Sequence, residues 1–387
     1  MKVAVVHDYF TQLGGAEKVA EELYRMLPDP SLFATVAFPN CMPGKLKDIP
    51  VHTSWMQSLP GIERYYRLYF LLYPFAVSHI DLSDYDLVLS SSSGYVKGVR
   101  TGRDAIHVCY CHTPMRWVWS FDNYSRRESF GFSQRTLLPM LIRGLKLWDE
   151  GASRQPDHFV ANSRAVADRI QRAYGRSAEV IYPPIDTRRF AASGDKPEDF
   201  YLVLSRLISY KRIDLAVRAC TQLGKKLIVV GHGPDRRQLE SIAGPSVTFL
   251  GRAPDSDVEH LVSRCKALLF PGEEDFGMAP IEVAAAGRPT IAYRAGGAIE
   301  TIIQDQTGIF FDKQTPESLA AAIQRFERHS WDSDFLIAHA QKFGIQVFQD
   351  RFRSFLHRIG APVAAPSPRF DSTAPARSRE ASFAVHA

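Results

Sequence analysis

The chain has 387 residues, 45% of them apolar and 23% charged, which is the composition of an ordinary globular protein with room for two domains, each able to bury a core. Its net charge of +5 is too mild to call for a nucleic-acid partner, and its longest apolar stretch, residues 68–77, is far short of a membrane span. Five cysteines (Cys41, Cys109, Cys111, Cys220, Cys265) lack a metal-binding spacing and read as free thiols of a reducing compartment.

The charge is unevenly spread. Residues 1–178 hold 21 Lys/Arg against 17 Asp/Glu, whereas residues 179–360 hold 23 of each. The basic surplus of the first half suits an anionic partner such as a membrane surface, and equally a plain solvated face. Asp8 interrupts the first apolar run, so no secretory leader is expected. The expectation is a cytoplasmic protein, resting on the inner face of the plasma membrane.

Residues 2–6 form a β-branched run typical of a buried parallel strand. A polar loop ending in Gly14-Gly15 follows, then a helix over 16–27. Strand, Gly-rich turn and helix open a Rossmann-like unit. Further strands are expected at 87–90, 105–109 and 158–160, with a helix at 164–174. The alternation predicts a doubly wound parallel sheet. Pro183-Pro184 breaks the pattern, since neither residue suits a helix interior or a central strand. A hinge is placed there.

A second α/β run follows. Strands are expected at 200–205, 226–230, 247–250, 267–270 and 290–292, and helices at 213–223, 236–242, 257–265, 280–286 and 316–328. The fold class is therefore α/β, two Rossmann-like doubly wound domains over 1–178 and 179–340, facing across a cleft. Residues 341–358 read as an amphipathic helix, with Phe348, Phe352, Phe355 and Leu356 on one face. From 361 to 387 the sequence turns to Ala, Pro and Ser, the composition of a disordered tail.

The strongest chemical signal is Pro271-Gly-Glu-Glu-Asp-Phe-Gly-Met-Ala-Pro-Ile-Glu282. Pro280 fits the first turn of a helix carrying Glu282, and Glu274 lies on the loop between that helix and the preceding strand. Free N–H groups of the helix terminus sit between the two carboxylates, a site for anions and sugar hydroxyls. A second signal is Ser205-Arg-Leu-Ile-Ser-Tyr-Lys-Arg212. Its cations Arg206 and Lys211 precede a helix, where they can stabilise a departing diphosphate. The glycines of Gly14-Gly-Ala-Glu-Lys18 let the backbone approach a phosphate or sugar. His112, in Tyr110-Cys-His-Thr-Pro-Met-Arg-Trp-Val-Trp119, follows a strand end and faces the cleft.

These motifs resemble family 4 glycosyltransferases, whose signature is a pair of glutamates seven residues apart around a Phe-Gly step. The resemblance runs from Gly14 to about Leu356 and implies the GT-B architecture. It implies that Glu274 contacts the transferred sugar and Glu282 the ribose, and that backbone amides around Phe276, Gly277 and Met278 hold the sugar. It implies that Arg206 and Lys211 bind the diphosphate, and that His112 lies near the reacting sugar. It also places Gly14 and Gly15 opposite the donor phosphate and Gly251 and Arg252 near the nucleobase. Gly231-His-Gly-Pro234 and Gly296-Gly-Ala-Ile-Glu300 match further donor-side segments, although His232 stands where an acidic residue is usual. Arg116 and its aromatic neighbours suit an acceptor subsite.

The resemblance is greatest to bacterial mannosyltransferases of polysaccharide assembly. It implies a retaining hexosyltransferase with GDP-mannose as co-substrate, a lipid-linked oligosaccharide or polysaccharide precursor as acceptor, and no cofactor. A UDP-sugar donor, a sugar-nucleotide epimerase on the same fold and a nucleotide-binding protein without catalysis are the alternatives. The Asp-x-Asp pairs at Asp84/Asp86, Asp255/Asp257 and Asp332/Asp334 stand outside any ligand cluster, so no metal is expected; Asp255 and Asp257 read as helix caps. Two aromatic and cationic stretches, 64–73 and 137–148, suit either a membrane interface or core helices.

Overall fold

The computed structural model describes residues 1–119, 132–191, 196–361 and 363. Two parallel sheets carry the chain. The first has strands β1 (Val3–His7), β2 (Ser31–Ala34), β3 (Val51–Thr53), β4 (Leu87–Ser92), β5 (Ile106–Cys111), β6 (His158–Ala161) and β7 (Glu179–Val180), in the order β3-β2-β1-β4-β5-β6-β7. The second has β8 (Tyr201–Leu204), β9 (Leu227–Val230), β10 (Val247–Gly251), β11 (Ala267–Phe270), β12 (Thr290–Tyr293) and β13 (Gly308–Phe311), in the order β10-β9-β8-β11-β12-β13. Each order reverses at its first strand, the mark of a doubly wound sheet whose ligands bind beyond the strand C-termini.

The helices that matter for the cleft are α1 (Gly15–Arg25), α2 (Phe132–Ala152), α3 (Arg164–Tyr174), α4 (Met278–Ala285) and α5 (Ile345–Arg358). Ser163 caps α3 with its hydroxyl on the Val166 N–H, and Gly175 ends it in the left-handed conformation. Helix α4 is buried from Pro280 to Ala285, because its residues are apolar on every side except at Glu282.

After α4 the chain builds β12 and β13 and then returns across both halves. Ile185, just past the two prolines, forms an isolated parallel β-bridge with Gly344 and donates its N–H to the Phe343 carbonyl at 3.0 Å. Helix α5 then presses Phe348, Phe352, Phe355 and Leu356 into the core beneath β1, β4 and β5. Gln349 Nε2 donates to Glu22 Oε2 on α1 at 3.1 Å. The expected tail at 361–387 lies outside the described residues except for Ala361 and Val363.

Candidate active site

The glutamate loop hangs from the end of β11. Pro271 and Gly272 turn the chain, and Gly277 enters α4 with a φ of +86°, where any larger residue would be strained. Glu274 is half-buried and its Oε1 pairs with Lys211 Nζ. Lys211 ends a short turn after β8, at Ser209–Lys211. The two loops touch through backbone, since a Cβ on Gly272 would lie 2.8 Å from the Lys211 Cα. Gly296 and Gly297 press in the same way against the carbonyls of Glu274 and Phe276. The loop is thus held from both sides by glycines, and Glu274 and Lys211 are set side by side.

Glu282 sits one turn into α4 and is 8% exposed. Lys18 Nζ, from α1 of the other half, reaches Glu282 Oε1 at 3.2 Å. The N-termini of α1 and α4 therefore face each other. Their separation is so small that a Cβ on Gly15 would fall 2.6 Å from the Met278 sulfur. Gly14 is the N-cap of α1. Beside it, Gln12 Oε1 accepts from Arg206 Nη1 at 2.8 Å.

A second bridge crosses lower in the cleft. Arg116 Nη2 donates to Asp275 Oδ1 at 2.6 Å, Arg169 Nη1 donates to the same oxygen, and Arg169 Nη2 lies 3.2 Å from Glu273 Oε1. The Arg116 guanidinium also lies over the Tyr210 ring, 5.0 Å from its centre. Burial works against the Arg116 charge, but the Asp275 carboxylate outweighs it and holds the group protonated.

His112 follows β5 directly. Its Nε2 lies 2.8 Å from Ser91 Oγ, and Asn162 Nδ2 donates to its carbonyl at 3.0 Å. Burial, helped by His7, pushes the imidazole down to about 3, so the ring is neutral at physiological pH. Glu17 in the first turn of α1 is also buried, and burial raises its carboxyl above the usual range.

The remaining expected positions are more dispersed. Gly251 closes β10 with a φ of +74°, and Arg252 beyond it is exposed. Glu300 serves a purpose the sequence did not suggest: it accepts the backbone N–H groups of Arg164 at 2.9 Å and Ala165 at 3.1 Å. A carboxylate of the second half thereby occupies the N-terminus of α3 in the first, where charge and donors favour it.

The Asp-x-Asp pairs have structural partners. Asp86 accepts the Lys2 N–H, Asp332 caps the helix Ser333–Gln341, and Asp255 pairs with Arg189 at 2.9 Å. The expected cap at Asp255 and Asp257 is corrected: Pro254 is the N-cap, and both aspartates fall in the first helical turn, where the helix dipole suits them. Among the described residues no three His, Cys, Asp or Glu side chains are grouped to hold a metal, and no helix is long and apolar enough to cross a membrane.

Lys18, Asp275, Arg169 and Gln12 carry roles that the local sequence does not mark. Lys18 lies inside a recognised motif and Asp275 between the two glutamates, so proximity to a motif was the available signal. Arg169 lies on a helix with nothing around it in sequence to mark it.

Two facing doubly wound sheets, with carboxylates and cations gathered at the strand ends between them, define a glycosyltransferase of the GT-B type. Residues 13–189 match the model of Glycosyltransferase Family 4, and residues 185–343 match that of glycosyl transferases group 1. The chain belongs to this family of glycosyltransferases. It is 22% identical over 334 residues to an uncharacterized glycosyltransferase of Methanocaldococcus jannaschii, covering 84% of this chain and 87% of that protein. It is 28% identical over 194 residues to the GDP-mannose-dependent alpha-(1-6)-phosphatidylinositol monomannoside mannosyltransferase of Mycolicibacterium smegmatis, covering 42% of this chain and 50% of that one. The fold matches the crystal structure of Anabaena HepE in complex with UDP, with a TM-score of 0.69 and 18% identity over 92% of this chain and 100% of HepE.

Proposed function

We propose that the protein is a retaining hexosyltransferase that moves mannose from GDP-mannose to a hydroxyl of a lipid-linked oligosaccharide or polysaccharide precursor. The observation that carries this reading is the Lys211–Glu274 pair at the mouth of α4, a cation for the diphosphate beside a carboxylate for the sugar. Glu282 binds the ribose, and the amides entering α4 at Gly277 and Met278 hold the sugar. Arg206 and Lys211 take up the charge that grows on the diphosphate as the glycosidic bond breaks. The acceptor hydroxyl attacks from the face the diphosphate leaves, and a diphosphate oxygen takes its proton. Mannose and GDP are favoured by the mycobacterial relative, whose name states that donor.

Incubation with a panel of GDP- and UDP-sugars in EDTA tests the reading. We expect release of GDP from GDP-mannose, undiminished by the chelator. Release from a UDP-sugar alone would move the donor to the competing reading, and activity restored only by Mg2+ or Mn2+ would sink the metal-free mechanism.

Arg206→Ala and Lys211→Ala should each weaken binding of free GDP as much as of the donor. Each loses a charge-assisted contact of about 1.5–3 kcal/mol, or about tenfold or more in affinity. Unchanged affinities by calorimetry would reject the diphosphate assignment.

The first half is also proposed to touch an anionic membrane. Of the 64–73 stretch, Tyr73 is buried, but Leu68 (71% exposed) and Leu71, with Phe75 just beyond (63%), face outward beside exposed Arg64 and Arg67. Met140 and Leu147 do so on α2, near Arg143. This pairing of apolar and cationic groups suits a lipid surface. The protein should co-sediment with vesicles containing phosphatidylserine, and the Leu68→Asp/Phe75→Asp variant should not; equal binding by both would place the contact elsewhere.

A further inference from the structure

Three polar side chains stand in a row at the cleft end of the first sheet. His7 closes β1, Ser91 lies beside it in register on β4, and His112 follows β5. All are buried, Ser91 completely. The Ser91 hydroxyl is 2.8 Å from His112 Nε2 and 3.0 Å from His7 Nδ1. Their rings stand edge to face, 6.5 Å apart.

A serine hydroxyl carries one hydrogen and accepts through its lone pairs. Placed between two imidazole nitrogens, it donates to one and accepts an N–H from the other. If His112 Nε2 is bare, the Ser91 hydrogen points to it and His7 Nδ1 must carry a hydrogen. If His112 Nε2 is protonated, the hydroxyl turns and His7 Nδ1 must be bare. Any other combination leaves a buried polar group unpaired or sets two hydrogens against each other, which is costly. The tautomers of the two rings are therefore tied through one oxygen.

We infer that Ser91 is a positioning residue for His112, fixing which of its ring nitrogens presents a hydrogen and linking that choice to His7. The inference rests on the reading of His112 as a group facing the transferred sugar. A ring that must meet a sugar hydroxyl in one sense, as donor or as acceptor, gains from having the wrong tautomer excluded beforehand. The charged groups around this row are few. Glu17 lies near enough to His7 for the charge of one to act on the other, and Asp275 acts on His112 from across the cleft. Tyr110 packs its ring against His112, 5.3 Å away.

The test uses the full chain labelled with 15N-histidine, and His7→Asn and His112→Asn variants to assign the two rings. In the wild type, the His112 nitrogens should show the widely separated shifts of one neutral tautomer. In Ser91→Ala the two shifts should move toward each other as the tautomers mix, while Ser91→Thr, which keeps the hydroxyl, should hold them apart. His7→Asn should also release His112, which covers the case that Ser91→Ala folds poorly. In transfer assays Ser91→Ala should lose about tenfold in kcat with donor KM unchanged, and Ser91→Thr should recover most of it. Shifts of His112 that stay apart in both Ser91→Ala and His7→Asn would overturn the link. Mixed tautomers with full kcat would overturn its part in transfer. The spectra need no donor, so they decide the link even if the donor assignment fails.

Discussion

Glu274→Gln is expected to lower transfer by about two to three orders of magnitude while moving the melting temperature by less than about 3 °C. The two effects separate because of where the residue stands. Glu274 lies on the loop between β11 and α4, and its side chain touches solvent and Lys211 rather than core. Gln keeps the shape and one hydrogen-bond acceptor. It removes the negative charge that strengthens hydrogen bonds to sugar hydroxyls, and it leaves Lys211 without its neutralising partner. Folding loses a partly exposed ion pair, worth about 1 kcal/mol or less. The transition state loses an interaction made where charge is being redistributed, and there the loss is large. Turnover and melting measured on the same preparation decide it; wild-type turnover would remove the carboxylate from the reaction.

Truncation after residue 360 is expected to leave an active enzyme, and truncation after residue 340 to abolish it by unfolding the first half. The longer form keeps α5. The shorter one strips Phe348, Phe352, Phe355 and Leu356, each no more than 4% exposed, from a core that they share with Val5, Leu89 and Tyr110. At about 1.5–3 kcal/mol per buried side chain, the loss is roughly 6–12 kcal/mol, comparable to the whole stability of a domain. It also removes the Ile185–Phe343 hydrogen bond that ties the turn after the two prolines. Equal melting and activity of the two forms would show that α5 contributes nothing to the first core.

Much of the fold was legible because its parallel strands are short apolar runs closed by glycine or a helix cap. Ala267–Phe270 and the helices Arg164–Tyr174 and Ile213–Leu223 fall where the pattern put them. Strands Ser31–Ala34 and Gly308–Phe311 were not expected. The first is four residues without a β-branched side chain, the second opens on glycine, and both owe their strand conformation to neighbours far away in sequence. Glu274, Glu282, Arg206, Lys211 and His112 stood out because each belongs to a compact motif. Their partners did not. Lys18 meets Glu282 across 264 positions and Arg169 meets Asp275 across 106, and nothing local marks a contact made by the closing of two domains.

Helix α5 has a consequence for the order in which the molecule can be made. The core of the first half is completed by residues 348–356, yet the sheet it helps to cover ends at Val180. At about 5–20 residues per second on the ribosome, the intervening stretch takes roughly ten seconds to half a minute to synthesise. Throughout that interval the first sheet carries an apolar trough that its own half has no side chains to fill. The second half can fold meanwhile, because its own clusters draw on residues 185–343. The N-terminal half is thus born first and finished last, and a chaperone that shields apolar surface has its window of work on this chain between those two moments.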